Sequence, residues 1–150
     1  TSPTYAFGSV LAEVEVNTTT GQLRVNRLVS ATDCGYAINP LTAQGQIEGA
    51  MVMGLGGALF EELQIADGAV LNPSFLDYKV ARATDSPEQE TFLIETLDQG
   101  GPFGAKGISE GAALPVAPAI ANAIQDAIGK RFTSLPITQE QITKALSNDG

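Results

Sequence analysis

The chain has 150 residues, 43% of them hydrophobic, and 8 Lys and Arg against 17 Asp and Glu give it a net charge of −9. This is enough apolar material for one packed domain, which argues against disorder, and no apolar run approaches the roughly 20 residues of a membrane span. The acidic balance opposes a nucleic-acid partner; with no His and one Cys, the chain cannot itself hold a Ser-His-Asp triad, a His-based metal site, an internal disulfide or an iron–sulfur cluster.

Thr1–Phe7 has no basic region followed by an apolar run, so it does not read as a signal peptide. It leads straight into a strand pattern, as expected of an excised piece or of one subunit of a split protein. Phe7–Val16 alternates, with Val10, Ala12, Val14 and Val16 on one face. Leu23–Ser30 alternates again, with Leu23, Val25, Arg27 and Val29 on one side. The Thr18–Gly21 segment between them predicts an antiparallel hairpin. Asp33-Cys34-Gly35 ends the second strand. Asn39 is a turn or cap residue, and Pro40 suits a first helical turn.

From Leu41 to Leu63 the period becomes helical, with Ile47, Met51, Leu55 and Leu59 recurring every four residues. Ala50, Gly54 and Ala58 form a small-residue stripe beside them. Gly54, Gly56 and Gly57 each cost about 1 kcal/mol relative to Ala. Tight packing of another backbone is the simplest compensation, and a ligand is the alternative. Gln64–Tyr78 is strand and turn around Asp67-Gly68, Ala83–Glu90 a polar loop, and Thr91–Leu97 a strand. A loop over Asp98–Gly107 precedes an alanine-rich helix at Ala112–Ile128, with Pro115 and Pro118 near its first turn and Gly129 at its C-cap. Thr138 and Gln141 form a capping box that starts a last helix running to about Ser147. With no internal repeat, a single α+β domain over residues 1–150 is predicted: a two-layer mixed sheet with packed helices.

The densest chemical signal is Gly100-Gly101-Pro102-Phe103-Gly104-Ala105-Lys106-Gly107-Ile108-Ser109-Glu110, between a strand and a helix. Glycines let backbone N–H groups approach an anion, and Lys106 adds positive charge. The spacing matches neither a P-loop nor G-x-G-x-x-G. An anion or cofactor loop and a plain connection both stay open on these residues alone. Glu110 is either a carboxylate complementing the helix dipole or a general base. Cys34 reads as a small buried hydrophobe, and the acidic surplus as a solvated surface.

Several motifs in order carry a resemblance. Ala37-Ile38-Asn39-Pro40, Gly45-Gln46-Ile47-Glu48-Gly49, Met53-Gly54-Leu55-Gly56, the Gly101–Gly107 run with Glu110, Ala117–Ile124 and Leu135-Pro136-Ile137-Thr138 resemble the C-terminal part of the molybdopterin-binding large subunit of the xanthine dehydrogenase/aldehyde oxidase family of molybdenum hydroxylases. The likeness runs from about Tyr5 to Leu146. It implies a molybdenum–pterin cofactor, in some members extended to the cytosine dinucleotide. It implies oxidation of an aldehyde or N-heterocycle by hydroxylation with water-derived oxygen. Glu110 matches the family's catalytic base and Gln46 a glutamine beside the cofactor. Gly104, Ala105, Lys106, Gly107 and Ser109 match the loop along the pterin, and no side chain of this chain matches a metal ligand.

Two departures stand out: Ser109 where the family usually has Gly, and Gly111 where it often has Pro. The family's molybdenum-binding part is also several times longer. The expected partners are therefore the remaining molybdenum-binding domain, iron–sulfur and flavin (FAD) modules on other domains or subunits, and a small-molecule substrate. The expected compartment is the cytoplasm, with the periplasm left open. The alternative reading is a non-catalytic cofactor-binding, assembly or interaction module of the same fold.

Overall fold

The computed structural model describes residues 4–147. Residues 1–3 of the leading segment lie outside them. The elements are β1 (Gly8–Val16), β2 (Leu23–Asp33), α1 (Pro40–Leu59), β3 (Ile65–Ala66), β4 (Ala69–Val70), β5 (Glu88–Ile94), α2 (Val116–Ile128) and α3 (Gln139–Ser147). The main sheet has the order β1-β2-β5, with β1 antiparallel and β5 parallel to β2. The helices cover one face of it, so the architecture is the mixed-sheet α+β arrangement that the patterning predicts.

The alternation of β1 places Val10, Ala12, Val14 and Val16 toward the helices. They meet Leu28 of β2, Ile47, Met51 and Leu55 of α1, Val116, Ile120 and Ile124 of α2, and Ile142 of α3 in one apolar core. Burial of side chains of this size contributes roughly 1.5–3 kcal/mol each. The hairpin turn forms as expected. The Asn17 side chain accepts hydrogen bonds from the N–H groups of Thr19 and Thr20, and Gly21 takes a left-handed φ of 71°.

β2 departs from the simple alternation. Glu13 pairs with Arg27 but Val14 pairs with Val25, so Asn26 is an extra residue in a bulge. The bulge reverses the inward face. Val25 and Leu28 both point into the core, and Arg27 lies on the other face, bonded to Glu13 and Glu90. Arg27 therefore does not share the apolar face on which strict period-2 counting puts it.

α1 begins at Pro40, next to its predicted start, but ends at Leu59 rather than Leu63, where the Gly56 carbonyl accepts from both Phe60 and Glu61. Asn39 caps it by accepting from the Thr42 N–H at 3.2 Å, and Pro40 occupies its first position. Of Gly54, Gly56 and Gly57, Gly54 serves packing against another element. A Cβ at Gly54 would lie 2.7 Å from the Ala113 carbonyl oxygen and 2.7 Å from the Val116 Cβ. Only glycine lets α1 approach the start of α2 this closely.

Three further boundaries differ from expectation. β5 starts at Glu88 rather than Thr91, because polar Glu90 is held by Arg27 across the sheet and needs no loop. It also ends at Ile94, where Glu95 turns away to accept the Ala37 N–H at 2.9 Å. α2 starts at Val116 rather than Ala112; residues 111–115 form turns, and Pro115 stands at the N-cap. The capping box is present: Thr138 Oγ1 accepts from the Gln141 N–H and Gln141 Oε1 from the Thr138 N–H, each at 3.2 Å.

Candidate functional site

The site forms where the end of β2, the start of α1 and the glycine-rich loop converge. Past Asp33 the chain turns at Gly35, whose φ is 60°. A Cβ there would lie 2.3 Å from the Gly104 carbonyl oxygen. This glycine allows the two segments to lie backbone to backbone. Tyr36 donates its N–H to the Gly104 carbonyl at 3.0 Å, and Lys106 donates its N–H to the Cys34 carbonyl at 2.9 Å. Gly35 and Ala105 form an antiparallel bridge. The loop is thus attached through one isolated antiparallel bridge, which the sequence does not signal.

Between this attachment and α1 lies a cleft of about 610 Å³. Tyr36–Asn39 form one wall, Thr42, Ala43 and Gln46 of α1 the second, and Ala105–Ser109 the third. The size falls within the usual range for small-molecule and cofactor sites, about 300–1,000 Å³. Gln46 reaches across, its Nε2 lying 3.5 Å from the Ser109 carbonyl oxygen. Five of the residues singled out in the sequence, Gln46, Ala105, Lys106, Gly107 and Ser109, therefore gather around one cavity. Gly104 does not line it. Gly104 sits behind the wall against Leu97, its carbonyl accepting from Tyr36 and Asp98.

Glu110 follows Ser109 directly, exposed, outside the cleft lining. Its carbonyl accepts the Ala113 N–H at 2.9 Å within the turn leading to α2. Because α2 begins only at Val116, Glu110 stands well before the first helical turn. Dipole effects fall off within that turn, so the helix-dipole account of this carboxylate loses force.

Lys106 differs most from the expectation of an anion-facing cation. Its ammonium donates to Asp33 Oδ2 at 2.6 Å, and both side chains are only 7% exposed. It also stands 5.8 Å from the centre of the Phe7 ring. Asp33 accepts through Oδ1 from the N–H groups of Gly35 and Thr96 at 3.0 and 3.2 Å. Burial opposes ionisation of Asp33, but the hydrogen bonds from Lys106, Gly35 and Thr96 outweigh it and hold the carboxyl below its ordinary range. Asp33 is therefore an anion at neutral pH. Its partner is 73 residues away in sequence, so no local spacing reveals the pair. Cys34 is buried, and desolvation pushes its thiol up, as befits a small core residue rather than a nucleophile. Among the described residues, no group of His, Cys, Asp and Glu could hold a metal ion, and no helix is long and apolar enough to cross a membrane.

Comparison with known proteins bears on the family and the fold. The family described as the molybdopterin cofactor-binding domain matches residues 1–87. The 6-hydroxypseudooxynicotine dehydrogenase complex subunit gamma of Paenarthrobacter nicotinovorans is 43% identical over 142 residues, covering 92% of this chain and 18% of that protein. The xanthine dehydrogenase molybdenum-binding subunit of Escherichia coli is 37% identical over 139 residues, covering 91% of this chain and 18% of the subunit. The structure of the reconstituted CO dehydrogenase from Oligotropha carboxidovorans superposes with a TM-score of 0.87 at 28% identity, over 98% of this chain and 19% of that one. The chain thus spans about a fifth of the length of these relatives. It belongs to the molybdopterin cofactor-binding domain family of the xanthine dehydrogenase/aldehyde oxidase-type molybdenum hydroxylases.

Proposed function

We propose that these 150 residues act as one C-terminal unit of a molybdenum hydroxylase large subunit and supply one wall of its active site. The observation that carries this reading is the cleft itself. Gln46 and the Ala105–Ser109 loop, far apart in sequence, face one cavity with Glu110 immediately adjoining. When bound, the molybdenum–pterin cofactor supplies the redox centre at which an aldehyde or N-heterocycle carbon is hydroxylated with oxygen from water.

The lining fits a pterin better than a phosphate. Gly107 leaves open space where a Cβ would stand, and Gln46 brings an amide able to donate and accept. The one nearby ammonium, on Lys106, is bound to Asp33. In a cytosine dinucleotide form of the cofactor, the phosphates would find their positive partners on the remaining molybdenum-binding domain. On this reading Gln46 orients the pterin edge, Ala105–Ser109 lie along it, and Glu110 takes the proton from the attacking oxygen. Iron–sulfur and flavin modules elsewhere in the enzyme would carry electrons away, in a cytoplasmic assembly.

Metal and nucleotide analysis tests this. The purified complete assembly should contain stoichiometric molybdenum and pterin and should oxidise an aldehyde or N-heterocycle. The 150-residue chain alone should retain little or none, because buried ligands need most of their surface enclosed. Tight stoichiometric molybdenum in the isolated chain, or none in the assembly, would refute the reading.

A further inference from the structure

We propose that Asp33 and Lys106 form a positioning pair that fixes the cofactor-facing loop, and that Lys106 acts through Asp33 rather than as a ligand of the cofactor. This rests on the proposed role of the cleft and adds to it a residue pair outside the reacting groups.

The Asp33 carboxylate joins three segments at one point. It accepts from Gly35 at the end of β2, from Thr96 just beyond β5, and from Lys106 in the loop. Lys106 is also the residue whose backbone N–H binds the Cys34 carbonyl. Its main chain and its side chain are thus anchored to neighbouring residues of one strand end. Gly107, Ile108 and Ser109, the next residues along, line the cleft, and Glu110 follows. Without the ion pair, the loop keeps the backbone bonds at Gly104 and Lys106 but loses its buried side-chain anchor. An ammonium so deeply engaged is not free to bind phosphate. Removing one partner leaves the other charge buried without its counter-ion, so the loop must rearrange to let water in.

The experiment uses the complete enzyme with Lys106→Met and Asp33→Asn. The first removes the cation while keeping a long stem; the second removes the charge on Asp33 while keeping an acceptor oxygen. For both variants, kcat per bound molybdenum should fall about 10–100-fold while KM changes little, since misplacement by about an ångström costs this much. Amide hydrogen exchange over residues 98–110 should quicken in both, with α2 and α3 unchanged. Lys106→Arg, which keeps the positive charge, should restore much of kcat.

Unchanged kcat per molybdenum and unchanged loop exchange would overturn the proposal. So would faster exchange throughout the chain, or failure of both variants to fold, because the pair would then hold the whole unit together and not the loop. Loss of cofactor binding in Lys106→Met alone, with Asp33→Asn normal, would make Lys106 a ligand and also overturn it. Glu110→Gln run in parallel separates the two ideas. If that variant stays active, the catalytic reading fails; if it is inactive while the Asp33 and Lys106 variants are normal, only the positioning role fails.

Discussion

Glu110→Gln in the complete enzyme is expected to lower kcat by about 10²–10⁴-fold, the usual contribution of a positioned general base, with molybdenum content nearly unchanged. Gln is close to isosteric with Glu. The hydrogen bond that ties this residue into its turn, from the Ala113 N–H, uses the backbone carbonyl and survives the change. What is lost is the capacity to take a proton from the attacking oxygen. kcat and kcat/KM should fall together, which places the loss in the transition state and not in substrate binding. Steady-state kinetics normalised to molybdenum decide the matter. Near-normal turnover would make Glu110 an ordinary exposed carboxylate.

Ile120→Ala should cost about 2–5 kcal/mol of stability. Ile120 is fully buried on α2, where it joins the cluster of Leu28, Met51 and Val116. The gap cannot close easily, because α1 and α2 are already in near contact at Gly54. Leu114→Ala is the control. Leu114 is 78% exposed, and the change should stay within about 0.5 kcal/mol. Urea denaturation of the two variants against the unaltered chain measures both. Equal costs would mean that α2 does not form the core described.

Much of this architecture is legible in the sequence because the signals are local. The alternation of β1, the Asn39-Pro40 start of α1 and the Thr138/Gln141 box each state their structure within a few residues, and each forms as read. The misreadings come from tertiary partners. A bulge at Asn26 moves Arg27 off the core face, and nothing in the alternation of β2 announces it. The polar start of β5 reads as a loop until Arg27 is seen to hold Glu90. Lys106 reads as a free cation until its ion pair with Asp33 is seen.

The site divides in the same way. Glycines, a lysine and a glutamate mark residues 100–110 as unusual, yet their spacing fits no nucleotide motif, and the residues alone leave a plain loop open. The cofactor and the proposed role of Glu110 enter through the resemblance to molybdenum hydroxylases. The wall made by Tyr36–Asn39 escapes sequence reasoning because it depends on the backbone pairing of Gly35 with Ala105.

Gly107→Phe tests most directly whether the cleft between α1 and Ala105–Ser109 receives the pterin. Gly107 lines the cleft, is exposed, and has no atom within 4 Å of its would-be Cβ. A phenyl ring there should occupy cofactor space without disturbing the fold. In the complete enzyme carrying this change, molybdenum and pterin content measured on purified, folded protein should fall to a small fraction of the unaltered value. Full stoichiometric loading of the Gly107→Phe enzyme would contradict the account, because the cofactor would then lie elsewhere.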